Sequence, residues 1–191
     1  FVFRRGSYRV ELRYQVTNGG DAPVKLASYA QFLRHSPGNE RSMWDPETYS
    51  FRGPAYYDGE SYQKLDIEDD EDATLSRSIT GGWVASMQHH FVAAVVPPAG
   101  EAWQYELRAK GLDYLLRVVG PAKTIPAGGS LVLEEKLFVG PKLQEQLKAT
   151  GPRLELTRTS ARMYEGWIRE LAELTPIDTG FWRCGLLELS L

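Results

Sequence analysis

Apolar and polar residues alternate strictly in "YRVELRYQV", residues 8–16. Tyr8, Val10, Leu12, Tyr14 and Val16 point one way, and Arg9, Glu11, Arg13 and Gln15 the other. A period of two predicts a strand with one buried and one wet face. "TNGGDAP" follows, with glycines able to take positive φ, so a hairpin into a second strand, "VKLASYAQF", is expected. The same period places Trp103, Tyr105 and Leu107 on one face of "AWQYELRAK" and recurs in "SLVLEEKLFVG" after the "PAGGS" turn. "LDYLLRVVG" is more uniformly apolar and predicts a buried strand.

The period changes in "GPKLQEQLKATGP". Pro141 suits a first helical position, Leu143 and Leu147 are spaced by four, Gly151 suits a stop and Pro152 a breaker. A short helix over 141–150 is expected. Residues 34–64 are irregular and read as a long ordered loop, with short strands around Tyr49–Phe51 and Tyr62–Leu65. Trp44, Tyr49, Phe51, Tyr56 and Tyr57 are suited to pin it to the body. Strands at short spacing followed by a helix indicate an all-β sandwich with a C-terminal helical segment.

The stretch "TGGWVASMQHHFVAAVVPP", residues 80–98, holds two of the chain's three histidines. As one strand over 82–96 it puts Trp83, Ala85, Met87, His89, Phe91, Ala93 and Val95 on one face and Val84, Ser86, Gln88, His90, Val92, Ala94 and Val96 on the other. Adjacent strand residues face opposite ways, so His89 and His90 are not placed to ligate one ion. The third histidine, His35, lies far away in sequence. A structural role is expected for the pair.

Composition changes this picture little. At 191 residues the chain can bury a real core, on the order of 70% of its unfolded surface. A net charge of −3, from 22 basic and 25 acidic residues, argues against nucleic acid, which selects a basic stripe. The lone Cys184 allows no internal disulfide, and no stretch approaches the ~20 apolar residues needed to span a bilayer. "DIEDDED", residues 66–72, has six acidic side chains, but Glu71 and Arg77 stand where a calcium loop of the EF-hand kind needs glycine and glutamate. It reads as a solvated loop. There is no G-x-S-x-G elbow, phosphate-binding loop or dinucleotide fingerprint, and no histidine lies near Cys184 in sequence. No motif therefore names a catalytic residue or a metal site, while carboxylates paired by the fold leave a glycosidase-like site open. Trp103 and Tyr105 are candidates for a ligand or partner cleft, against the alternative that both are core.

Five segments in order, "RRGSYRVELRYQVTNGGDAPVKL", "FRGPAYYDGESYQKL", "GGWVASMQHHFVAAVVP", "LFVGPKLQEQL" and "PRLELT", carry a resemblance over residues 1 to about 157. Together they resemble the large periplasmic domain of the YidC-type membrane protein insertase of Gram-negative bacteria. The resemblance implies a β-supersandwich of galactose-mutarotase-like fold, at the periplasmic face of the inner membrane. It implies a chaperone-like accessory, without catalytic residues or cofactor, in a protein that assists insertion and folding of inner-membrane proteins. Contact with the Sec translocon and with nascent membrane proteins is implied with it. The runner-up function, from fold likeness alone, is a carbohydrate-binding or aldose-epimerase-like sandwich.

The resemblance divides the chain into a partial sandwich domain, 1–157, and an unmatched tail, 158–191. The matched part looks like the later portion of a sandwich, so missing strands are expected to leave exposed edges. In the tail, Met163, Trp167, Leu171 and Leu174 suit one amphipathic helix over 159–174, ended by Pro176. Arg162 and Arg169 favour a membrane surface, but Glu165, Glu170 and Glu173 oppose anionic lipid, so packing on the sandwich is the expectation.

Overall fold

A computed structural model describes residues 1–36, 51–69, 71–151 and 154, and the backbone of 181–189. The readings placed on Trp44, Tyr49, Pro152 and the 159–174 helix lie outside these residues. Among the described residues thirteen strands form two sheets that face each other, with one helix beside them. In order they are β1 (Val2–Phe3), β2 (Arg9–Thr17), β3 (Val24–His35), β4 (Gly53–Tyr57), β5 (Tyr62–Lys64), β6 (Thr74–Thr80), β7 (Trp83–Met87) and β8 (Phe91–Val96). Then come β9 (Ala102–Lys110), β10 (Asp113–Val119), β11 (Lys123–Ile125), β12 (Ser130–Pro141), α1 (Gln144–Thr150) and β13 (Phe181–Leu189). One sheet runs β1-β2-β12-β8-β7-β4-β5; the other runs β11-β3-β10-β9-β6, with β13 also on β3. Every pairing is antiparallel. The all-β sandwich expected from strand periodicity is the observed architecture.

Alternation works as expected where one face is wet. In β9, Trp103, Tyr105 and Leu107 are buried while Arg108 and Lys110 are exposed, and in β12 Leu133 and Leu137 are buried between exposed Glu134 and Lys136. Trp103, Tyr105, Leu107 and Leu137 meet Leu12, Phe32, Leu116 and Val118 in the inter-sheet core, and Leu133 packs with Leu26 and Ile125. Strands β4, β7 and β8 are buried on both faces. Their outer face, with Ala55, Trp83, Ala85, Met87, Val92 and Ala94, is covered by Leu147 of α1 and by Leu154. Burial on both faces explains their near-continuous apolar sequence.

Several local readings are corrected. The expected β2–β3 hairpin does not form: β2 pairs with β1 and β12, whereas β3 lies in the other sheet. The connection is an arch between sheets. Asn18 holds it, its side-chain amide donating to the carbonyls of Ala22 (2.8 Å), Ile125 (3.1 Å) and Pro126 (3.1 Å), and its Oδ1 accepting from Gly20 N–H (3.0 Å). Neither Gly19 nor Gly20 takes positive φ. Pro141 ends β12, opposite Phe91, and the helix starts three residues later behind Leu143. The stop is as read: Gly151 N–H donates to the Leu147 carbonyl. The 34–64 loop is also shorter than expected. β3 continues to His35, and "GPAYY" forms the fully buried β4.

Edges are kept short or polar, which limits edge-to-edge pairing. β1 has two residues and β5 three, and β6 alternates buried Leu75 and Ile79 with exposed polar residues. The long edge of β3 is covered by the tail itself. β13 pairs along it from Phe181↔Leu33 to Leu189↔Lys25. β10 and β11 bond the same β3 stretch, so β13 lies on the opposite edge. The strand over "FWRCGLLEL" is not among those the sequence pattern predicts.

Candidate functional site

The apolar run 82–96 is not one strand but a tight hairpin. Gln88 N–H donates to the Phe91 carbonyl (2.9 Å), leaving His89 and His90 as the turn between β7 and β8. The turn switches the alternation. Met87 pairs with Val92 and Ala85 with Ala94, so Val92, Ala94 and Val96 share the outer face with Trp83, Ala85 and Met87. Ala93 and Val95 face the inter-sheet core with Val84. The opposite-face geometry expected for the histidines is therefore overturned. Their rings lie together, 4.0 Å apart between centroids and nearly perpendicular.

The third histidine joins them. The end of β3 carries Arg34 and His35 to the same end of the sandwich, and Arg52 enters just before β4, which pairs with β7. A cavity of about 280 Å³ opens there, lined by all three histidines together with Arg34, Arg52 and Tyr114. His35 Nδ1 lies 2.9 Å from Asp113 Oδ1 across the β3–β10 pairing. At the cavity's inner end the Ser86 and Tyr114 hydroxyls share a buried hydrogen bond of 2.7 Å. Burial pushes the Tyr114 phenol up, and Ser86 and Arg34 partly offset this. Beside the turn, Lys142 N–H donates to the His90 carbonyl. Burial holds the Lys142 ammonium down at about 8, helped by the nearby charges of Lys64 and Arg52. Among the described residues no group of three or more His, Cys, Asp and Glu side chains is placed to hold a metal ion.

The sequence-proposed cleft residues lie elsewhere. Tyr105 is fully buried in the inter-sheet core and its phenol is pushed up by that burial. Trp103 is 3% exposed. It reaches one wall of an open depression of about 510 Å³, lined also by Arg13, Glu101, Lys123 and Glu134. The structure does not bring Trp103 and Tyr105 together at one surface. The acidic loop folds on itself. Glu68 and Glu71 backbone N–H groups donate to Asp66 and Asp69 carboxylates, and Asp66 N–H to Asp72, with Ile67 anchored beneath.

The family model described as "YidC periplasmic domain" matches residues 1–159. The chain belongs to the YidC periplasmic domain family. It is similar to proteins named membrane protein insertase YidC, and 33% identical over 184 residues to the one from Methylobacillus flagellatus, covering 95% of this chain and 31% of the relative. Identity is 37% over 159 residues with that of Nitrosococcus oceani, covering 82% of this chain and 28% of the relative. With that of Cupriavidus necator it is 34% over 180 residues, 91% of this chain and 30% of the relative. The chain thus spans less than a third of the length of these relatives. The Methylobacillus match reaches past residue 159, so part of the tail read as unmatched has a counterpart in a YidC protein.

Two features of this YidC domain escaped sequence reading. The turn at His89–His90 was signalled by the polar triplet "QHH" interrupting a run otherwise buried on both faces. Glu135 sits on the inner face of β12 at 2% exposure, with neither carboxylate oxygen hydrogen-bonded among the described residues. The period-two pattern through Leu133, Glu135 and Leu137 placed it there.

Proposed function

We propose that this domain is the periplasmic part of a membrane protein insertase and assists insertion and folding of inner-membrane proteins through protein–protein contact. It lies on the periplasmic side of the inner membrane. No helix among the described residues is long and apolar enough to cross a membrane. The carrying observation is the family match over residues 1–159, in a chain whose fold is the two-sheet sandwich that the resemblance implies. In this reading the domain is non-enzymatic and uses no cofactor. Its partners are nascent membrane proteins and components of the Sec translocon, met through its surface. The carbohydrate reading is not favoured, because stacking on a sugar needs an open aromatic face and Trp103 and Tyr105 are buried.

Site-specific photo-crosslinking from exposed positions of the intact protein, followed by identification of the adducts, tests this. Adducts to Sec components or to membrane proteins under synthesis are the expected result. Absence of both, together with heat on titration with a sugar panel, would refute it.

A further inference from the structure

The cavity at the β7–β8 turn has a charge problem that the described residues leave unsolved. Arg34, Arg52, Lys64 and Lys142 gather at this end of the sandwich, with Arg34 and Arg52 lining the cavity. None of the four makes an ion pair with a carboxylate among the described residues. No described carboxylate lines the cavity, and Asp113 is engaged by His35, which does. Arg34 and Arg52 are both half-buried. Lys142 records the same repulsion: Lys64 and Arg52 add to burial in disfavouring its cation. Like charges held together at low solvation are stabilised by an anion.

The geometry points to an oxyanion-binding site at this turn, taking a phosphate group, with Arg34 and Arg52 as its two charged arms and the imidazoles as neighbouring hydrogen-bonding groups. Two guanidinium forks from different sheets suit the several oxygens of a phosphate better than a single point charge would. The cavity, about 280 Å³, admits such a group. A phosphodiester lipid headgroup and a free phosphate or soluble ester share this chemistry. The inference stands independently of the insertase reading.

Titration of the full chain with inorganic phosphate, followed by calorimetry and by phosphorus NMR line broadening, tests it. Arg34→Gln and Arg52→Gln are each expected to weaken binding by roughly tenfold, the loss typical of a charged hydrogen bond. Arg77→Gln, exposed on the distant edge strand β6, leaves binding unchanged. Thermal melts check that each variant is folded. If a glutamine variant is not, Arg34→Lys and Arg52→Lys replace it: weakened binding is again expected, and unchanged binding counts against the site.

Flotation with phosphatidylglycerol against phosphatidylcholine vesicles separates the sources. Capture by the former that is lost in the arginine variants assigns the lipid headgroup, and phosphate binding without capture assigns a soluble ligand. No phosphate binding, or binding that survives both arginine substitutions, overturns the proposal. So does a silent wild type beside a binding-competent Glu40→Gln/Asp45→Asn/Glu47→Gln variant, because the chain's own carboxylates would then be the natural counter-ions.

Discussion

Replacing Glu135 by glutamine should make the domain more stable at neutral and alkaline pH and leave it little changed in acid. Glu135 lies on β12 opposite Leu12, facing the inter-sheet core between Leu133 and Leu137. Burial pushes its carboxyl up from 4.5 to about 7; the Ser28 hydroxyl offsets part of this without reaching hydrogen-bond geometry. The folded state therefore holds the proton more tightly than the unfolded chain does. The stability that Glu135 contributes is greatest below about 4.5, falls as pH rises towards 7 and is level above that. At roughly 1.36 kcal/mol per pH unit, the loss has a ceiling of about 3.4 kcal/mol. Glutamine keeps the shape and removes the charge, at a residual cost of about 1 kcal/mol for an unpaired amide. Urea unfolding at pH 5 and pH 8 gives the difference between variant and wild type at each. The expected result is a gain for Glu135→Gln that is about 2–3 kcal/mol larger at pH 8 than at pH 5. The difference cancels the titrations common to both proteins. A gain that does not change with pH, or a wild type that is the more stable at pH 8, would show that Glu135 is not a desolvated carboxylate.

Asn18→Ala removes four hydrogen bonds from the arch that joins the sheets, so a loss of about 2–3 kcal/mol is expected in the same assay. Gly82→Ala would place its Cβ 2.1 Å from the Tyr57 carbonyl oxygen and 2.8 Å from Ile79 Cγ2. Backbone cannot give way there cheaply, and a loss of about 3 kcal/mol or more is expected, read as a lower melting temperature. The double substitution Cys184→Pro/Gly185→Pro breaks the β13 ladder on β3 wherever the inward N–H falls. The uncovered edge should drive concentration-dependent association, visible by light scattering after size exclusion; a variant that stays monomeric would show that β13 is not what protects this edge.

What the sequence disclosed follows the range of the interaction that decides each element. Trp103, Tyr105 and Leu107 alternate because one face of β9 is wet, a local property that a nine-residue window contains. The β2–β3 connection looked like a hairpin because "NGG" is turn chemistry. Whether the chain turns within a sheet or crosses between sheets depends on Asn18 meeting Ile125 and Pro126, more than a hundred residues away. Pro141 suits a helix start, yet the ladder to Phe91 holds it in β12. The candidate site was hidden for the same reason. His35, His89 and His90 are gathered by the pairing of β3 with β10 and of β7 with β8, and no spacing in sequence encodes that meeting.

The crossing between sheets at Asn18 also bears on when the chain can fold. Among the described residues β2 finds its long partner in β12, and β3 finds partners in β10, β11 and β13. Among the described residues, β2 and β3 thus wait for these partners until residues 113–138 have followed. Such non-local pairing is slow, because the loop must be closed before any contact rewards it. During that interval "YRVELRYQV" and "VKLASYAQF" travel as open, alternating strands, the form of chain most exposed to wrong pairing. Export ahead of folding suits this topology. A chain released before β10 and β12 would leave β2 and β3 without these partners.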